Sequence, residues 1–146
     1  LNFWSHVFLR LNSILEVTMD RVCHFEVPYS DKQRMEKFYT DVFGWQFMPS
    51  PGDMPYTFVI TTEMDESFMP KNPGGINGGS YPRGGGGATS SPVIVLEVES
   101  TEQRIKDVVA AGGEAVLGPN LIEGMGIYAQ VKDCEGNVIG LWQPIR

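Results

Sequence analysis

The chain has 146 residues, 42% of them hydrophobic, which suits one packed domain or two small modules sharing a core. Its formal net charge of -7 sets 18 acidic residues against 11 lysines and arginines scattered along the sequence. That balance excludes nucleic acid and an anionic membrane as main partners, because both need clustered cations.

Residues 1–18 come first. Trp4, Val7, Phe8, Leu11 and Leu15 recur at helical spacing, with Arg10, Asn12 and Glu16 between them. The stretch is too short and interrupted to span a bilayer, and it lacks the small-residue cleavage site of a signal peptide. Met19 sits just ahead of the first strand-like run. Residues 1–18 are therefore expected to be an N-terminal extension. It is either sequence upstream of an alternative start or an amphipathic helix docked on the body or on a second subunit.

Arg21 to Pro28 alternates in polarity and reads as a strand. Ser30 or Asp31 can cap a following helix over Gln33 to Phe43, where Met35, Phe38, Tyr39, Val42 and Phe43 share one face. Gly44 ends it. Trp45 to Met48 and Tyr56 to Thr62 read as strands around a turn at Pro51-Gly52-Asp53, and Ile76 to Tyr81 as a short fourth.

The second half repeats the order. Pro92 to Val98 is a strand, with Ser100 or Thr101 as the cap of a helix over Gln103 to Ala111 that turns Ile105, Val108 and Val109 inward. Short strands follow at Glu114 to Leu117 and Ile127 to Lys132, then a turn at 133–137 and a last strand from Val138 to Gln143. Phe25-Glu26-Val27 followed by Gln33-Arg34-Met35 parallels Leu96-Glu97-Val98 followed by Gln103-Arg104-Ile105. Such a repeat means a duplicated supersecondary unit that cannot bury its own sheet face alone.

Lys71 to Pro92 holds three glycine runs, and no G-K-[ST] element follows them, so the stretch is read as a linker rather than a phosphate cradle. Cys23 and Cys134 are the only cysteines, and two isolated thiols point to a reducing, cytoplasmic setting. Asp133 and Glu135 precede Gly136-Asn137 and read as turn residues. Met48, Met54, Met64, Met69 and Met125 fall in loops or strand ends, as an adaptable apolar mouth or as gap fillers.

Two stretches carry a resemblance. The first half has His24, Asp31, Arg34 and the helix ending Phe38-Tyr39-Thr40-Asp41-Val42-Phe43-Gly44-Trp45. The second has Ala110-Ala111-Gly112-Gly113 and the closing run Lys132 to Trp142. In this order the chain resembles the glyoxalase/bleomycin-resistance/dioxygenase family, the vicinal oxygen chelate superfamily, over roughly Met19 to Pro144. The resemblance implies an α+β fold of two βαβββ modules, 19–82 and 92–144, whose cupped mixed sheets enclose a cavity within one domain, 19–146. It also implies a tendency to form homodimers.

In metal-dependent members of that family, the first and last strands of each module supply four His, Gln or Glu ligands. His24 matches the first. The others fall on Val93 or Val95, on Gly140, and on the stretch from Ile76 to Gly79, where Asn77 is a feeble donor. No metal and no other cofactor is therefore expected.

Strand alternation puts Phe25 and Val27 in the core and His24 and Glu26 in the cup. The same parity puts Val138, Gly140 and Trp142 in the cup, with Tyr128 and Gln130, and leaves open which of Thr57, Phe58 and Val59 completes the wall. Asn77, Phe58, Tyr128, Gln130, Gly140 and Trp142 thus join His24 and Glu26 as candidate ligand-binding residues, with Trp142 and Tyr128 able to stack a ring or a dimer partner. Glu26 beside His24 is expected to raise the imidazole pKa, which would make the two a candidate catalytic pair. Three functions remain open. The leading one is a metal-independent binder, or sequestering protein, for an aromatic or cyclic small molecule. The alternatives are a lyase, isomerase or other enzyme using His24 and Glu26, and a homodimeric interaction module without catalysis.

Overall fold

The computed structural model describes residues 19–84 and 89–146. The expected N-terminal extension, 1–18, and the stretch 85–88 in the glycine-rich linker lie outside the described residues. The elements are β1 (Val22–Tyr29), α1 (Lys32–Phe43), β2 (Gln46–Pro49), β3 (Thr57–Ile60), β4 (Gly78–Pro82), β5 (Val93–Glu97), α2 (Thr101–Ala110), β6 (Glu114–Ile122), β7 (Gly126–Lys132) and β8 (Val138–Pro144). Each half runs β-α-β-β-β, as the repeat requires.

Both helices start at side-chain caps. Asp31 accepts from the Arg34 backbone N–H at 3.0 Å, and Ser100 accepts from that of Gln103 at 3.2 Å, each meeting a donor that the first turn leaves unpaired. Gly44 ends α1 at φ 70°, in the left-handed region that a side chain would resist.

The strands form one mixed sheet of eight, in the order β2-β3-β4-β1-β5-β8-β7-β6. The modules meet inside the chain, where β1 pairs antiparallel with β5, Glu26 opposite Val93 and His24 opposite Val95. On the helix face, Val98, Ala129, Val131 and Leu141 are buried, and Ile105 and Val108 of α2 pack on them with Leu96 and Ile139. Fully burying a side chain such as Leu141 contributes about 1.5–3 kcal/mol, so this cluster anchors the second module.

The sequence reading needs three corrections. β6 runs to Ile122 rather than stopping at Leu117, because Gly118, Pro119 and Asn120 sit in a bulged edge strand that pairs with β7 rather than in a turn. Val109 faces out, 51% exposed. On α1, Phe38, Val42 and Phe43 are more than half exposed and no residue is fully buried. The α1 rings gather on one another instead, Tyr39 stacking on Trp45 at 4.5 Å, and Trp45 reaches Phe25 at 5.6 Å. The apolar stripe of α1 is wider than the face of the sheet that receives it.

Candidate functional site

The other face of the sheet holds a buried polar group. Period-2 alternation along β1 turns His24 and Glu26 toward it, and the same alternation along β7 brings Tyr128 and Gln130. His24 Nε2 lies 2.8 Å from the Tyr56 hydroxyl. Tyr128 donates its hydroxyl proton to Glu26 Oε1, and Gln130 Nε2 donates to the Tyr128 oxygen at 2.9 Å. Tyr81 stands opposite Pro28 in the β1–β4 pairing, with the Gln130 side chain acting on its hydroxyl. Glu26 and Gln130 are only 4% and 1% exposed.

Burial governs the protonation of this group. Loss of water lowers the His24 pKa to about 4, so the imidazole is neutral at pH 7. The expected upward push from Glu26 is overturned, because the carboxyl bonds to Tyr128 and the ring bonds to Tyr56. Burial raises the Glu26 carboxyl, and the hydrogen bond from Tyr128 pulls it part of the way back. Tyr56 is held well above its ordinary value by burial first, then by the nearby Glu26 and Tyr81. Tyr128 is raised by burial, then by the charge of Glu26 and the bond to it.

Two glycines admit the two tyrosines. A Cβ on Gly79 would stand 1.8 Å from the Tyr56 hydroxyl oxygen. A Cβ on Gly140 would stand 3.1 Å from that of Tyr128 and 2.8 Å from Val95 Cγ2. Phe58 pairs with Gly79 and Gln130 with Gly140, and each tyrosine sits two residues ahead of the paired residue. Tyr56 and Tyr128 are therefore equivalents in the duplicated unit. Each lies over the last-strand glycine of its own module.

This bears on a metal. Only His24 and Glu26 offer strong donors here, and each is bonded to a tyrosine. Among the described residues, no group of three or more His, Cys, Asp or Glu could hold an ion. A catalytic cation needs three or four converging donors, so the residues present do not fit one.

The remaining candidates scatter. Phe58 meets Tyr56 edge-on at 5.8 Å, which answers the open question of the β3 wall in favour of Phe58. Trp142 pairs with Tyr128 and covers Gly126, where a Cβ would lie 2.7 Å from its Cζ2. Asn77 does another job, its Oδ1 accepting from the backbone N–H groups of Thr61 at 2.8 Å and Thr62 at 3.1 Å. Asp133 accepts from the backbone of Glu135 and Asn137 and is a turn residue, as its sequence context suggests. Tyr56 and Tyr81 escaped the sequence reading. Extending the parity of Phe58 back by two residues would have found Tyr56. Two surface grooves line the α1 side, one between Gln33 and Phe47 and one around Tyr29, Arg34, Met35 and Arg83, and neither shares a residue with the buried group.

Comparison with known proteins agrees with the fold. Residues 21–62 match the family described as bleomycin resistance protein-like N-terminal. The protein named "Putative glyoxylase CFP32" is 26% identical over 127 residues, in Mycobacterium bovis and in Mycobacterium tuberculosis alike. The match covers 83% of this chain but 44% of those relatives, so the chain spans less than half their length. Among solved structures, a Streptomyces coelicolor methylmalonyl-CoA epimerase superposes with a TM-score of 0.59 at 12% identity, over 88% of this chain and 100% of that one. The methylmalonyl-CoA epimerase of Mycobacterium tuberculosis gives 0.54 at 12% identity, over 90% and 95%.

Proposed function

We propose, for a chain of the glyoxalase/bleomycin-resistance (vicinal oxygen chelate) superfamily, that the cup binds a small aromatic or cyclic molecule without a metal. One observation carries this reading. At the last-strand position of each module stands a glycine with a tyrosine packed over it, where a metal site would need a donor. His24, Glu26, Tyr56, Tyr128 and Gln130 then serve as hydrogen-bonding groups, and Phe58 and Trp142 as aromatic walls. Asn77 and Gly140 belong to the supporting frame, Asn77 by holding the loop after β3 and Gly140 by admitting Tyr128.

Thermal denaturation with and without ligands tests it. A cup ligand at one hundred times its dissociation constant adds about 2.7 kcal/mol to stability. Aromatic and cyclic compounds are expected to raise the melting temperature, whereas zinc, nickel and manganese leave it unchanged. A stoichiometric metal that raises it would overturn the reading.

A second reading has its own support. A raised Glu26 carboxyl beside a tyrosine hydroxyl is the pairing that proton abstraction next to a carbonyl uses. Relatives and neighbours named as a glyoxylase and as epimerases add weight to it. Deuterium uptake by methylmalonyl-CoA in heavy water, present in the wild type and lost in Glu26→Gln, would favour it over simple binding.

The proposed setting is a homodimer in the cytoplasm, with the half-exposed Phe38, Val42 and Phe43 as the surface a second copy would cover. Sedimentation of the wild type against Phe43→Asp tests the dimer. Among the described residues, no helix is long and apolar enough to cross a membrane.

A further inference from the structure

We infer that the groove on the α1 side, around Tyr29, Arg34, Phe38 and Arg83, binds a small aromatic monoanion of the arylcarboxylate type. It shares no residue with the cup, so its failure would leave the binding reading above untouched. The fold brings the two cations together. β1 and β4 run parallel and end at one rim, Tyr29 opposite Pro82, where the backbone N–H of Arg83 donates to the Tyr29 carbonyl at 2.8 Å. α1 begins just past that end of β1, which places Arg34 of its first turn at the same rim.

Charge singles this groove out. Arg21, Arg104 and Arg146 each pair with a carboxylate. Among the described residues Arg34 and Arg83 pair with none, in a chain whose net charge is -7. Neutral oxygens hold the Arg83 guanidinium instead, Ser30 Oγ at 2.8 Å and the Ser90 carbonyl at 3.4 Å. They orient the planar fork without cancelling its charge. Asp31 is the one acidic residue lining the groove among the described residues, and its Oδ1 caps α1 by accepting from the Arg34 backbone N–H. Two guanidiniums against one carboxyl group leave a single positive charge, which one carboxylate neutralises. A dianion would exceed it and a cation would be repelled.

The walls beside this charge are apolar. Phe38 is 53% exposed and meets Tyr39 edge-on at 5.2 Å, with Tyr29 and Met35 lining the same groove. The groove holds about 400 Å³, within the roughly 300–1,000 Å³ of small-molecule sites. A ring laid on Phe38 removes apolar surface from water while its carboxylate meets the arginines. An anion without a ring gains only the second term.

Benzoate, acetate, phenyl phosphate and benzylamine separate ring from charge. Each is titrated at pH 7 into the isotope-labelled full chain and followed by two-dimensional NMR. Benzoate is expected to shift the backbone signals of Tyr29, Arg34 and Arg83 and to bind at least roughly tenfold more tightly than the other three. Arg34→Gln and Arg83→Gln should each weaken it by roughly tenfold, the loss of one charge-assisted bond, with the rest of the spectrum unchanged. Phe38 also belongs to the proposed dimer face, so the titration is repeated in Phe43→Asp, whose substitution lies outside the groove. Benzoate shifts at the groove in either background support the inference. No shift there in both backgrounds would overturn it, as would undiminished binding in either glutamine variant or another probe binding as tightly as benzoate. Shifts at Gln130 and Gly140 instead would overturn it while favouring the cup.

Discussion

Tyr56 lies directly over Gly79, so closely that any side chain there would have to displace it. The pair makes one arm of a two-fold device whose other arm is Tyr128 over Gly140. The arms differ in tightness, with 1.8 Å to a hypothetical Cβ in the first and 3.1 Å in the second.

Gly79→Ala should therefore destabilise by about 1–3 kcal/mol through overpacking, and Gly140→Ala by less. Trimming Tyr56 to Ala in the Gly79→Ala background should relieve part of the loss. Urea denaturation of the two single variants and the double variant measures the coupling. Additive costs would show that Tyr56 and Gly79 do not oppose each other.

Removing the Tyr128 hydroxyl strands the Glu26 carboxyl. Tyr128→Phe keeps the ring and should cost about 1–3 kcal/mol, the penalty of a buried acceptor losing its donor. Tyr56→Phe should cost less, because a neutral imidazole loses less than a carboxyl does. Equal midpoints for the two variants in denaturant would count against the Glu26–Tyr128 bond as the stronger tie.

Stability should respond to pH in opposite directions at the two ends of the β1 pair. The His24 pKa is lowered in the fold, so its contribution is complete above about 6.5 and is lost as pH falls toward 4. The full effect is about 3 kcal/mol at most. Glu26 is raised, so its contribution is complete below its ordinary 4.5 and is lost as pH rises through the higher folded value. Glu26→Gln, which stays neutral and can still accept from Tyr128, should gain on the wild type as pH rises from 4 to 8. His24→Gln should flatten the acid limb. Parallel stability curves for wild type and Glu26→Gln would refute a buried, raised carboxyl.

Asn77 should behave as scaffolding. Asn77→Ala removes the acceptor for two backbone N–H groups and should cost about 1–3 kcal/mol. Ligand affinity of the folded variant should match the wild type. A selective loss of binding would move Asn77 back among the cup residues.

Much of this was legible in the residues. The repeat foretold the β-α-β-β-β order, and strand parity brought His24, Glu26, Tyr128 and Gln130 to one face, because alternation is a local property of a strand. Tyr56 was within reach of the same alternation, two residues ahead of Phe58, but its fit over Gly79, twenty-odd positions away, is a tertiary contact that no local pattern reports. The exposure of α1 also escaped. Periodicity reports which side chains share a face but not whether the sheet offers enough area to cover them. At β6, the strand expected to stop at Leu117 runs on to Ile122, because pairing with β7 resumes at Asn120 opposite Tyr128.

The position of the two outermost strands has a bearing on how the molecule behaves in a crowded solution. β2 ends in Pro49 and β6 carries Pro119 within a bulge, so both rims of the sheet interrupt their rows of backbone donors. A stray strand from a neighbouring molecule finds no continuous template on either side. Replacing Pro49 with valine should leave the protein folded while making the β2 rim prone to strand addition, read as fibril growth on standing.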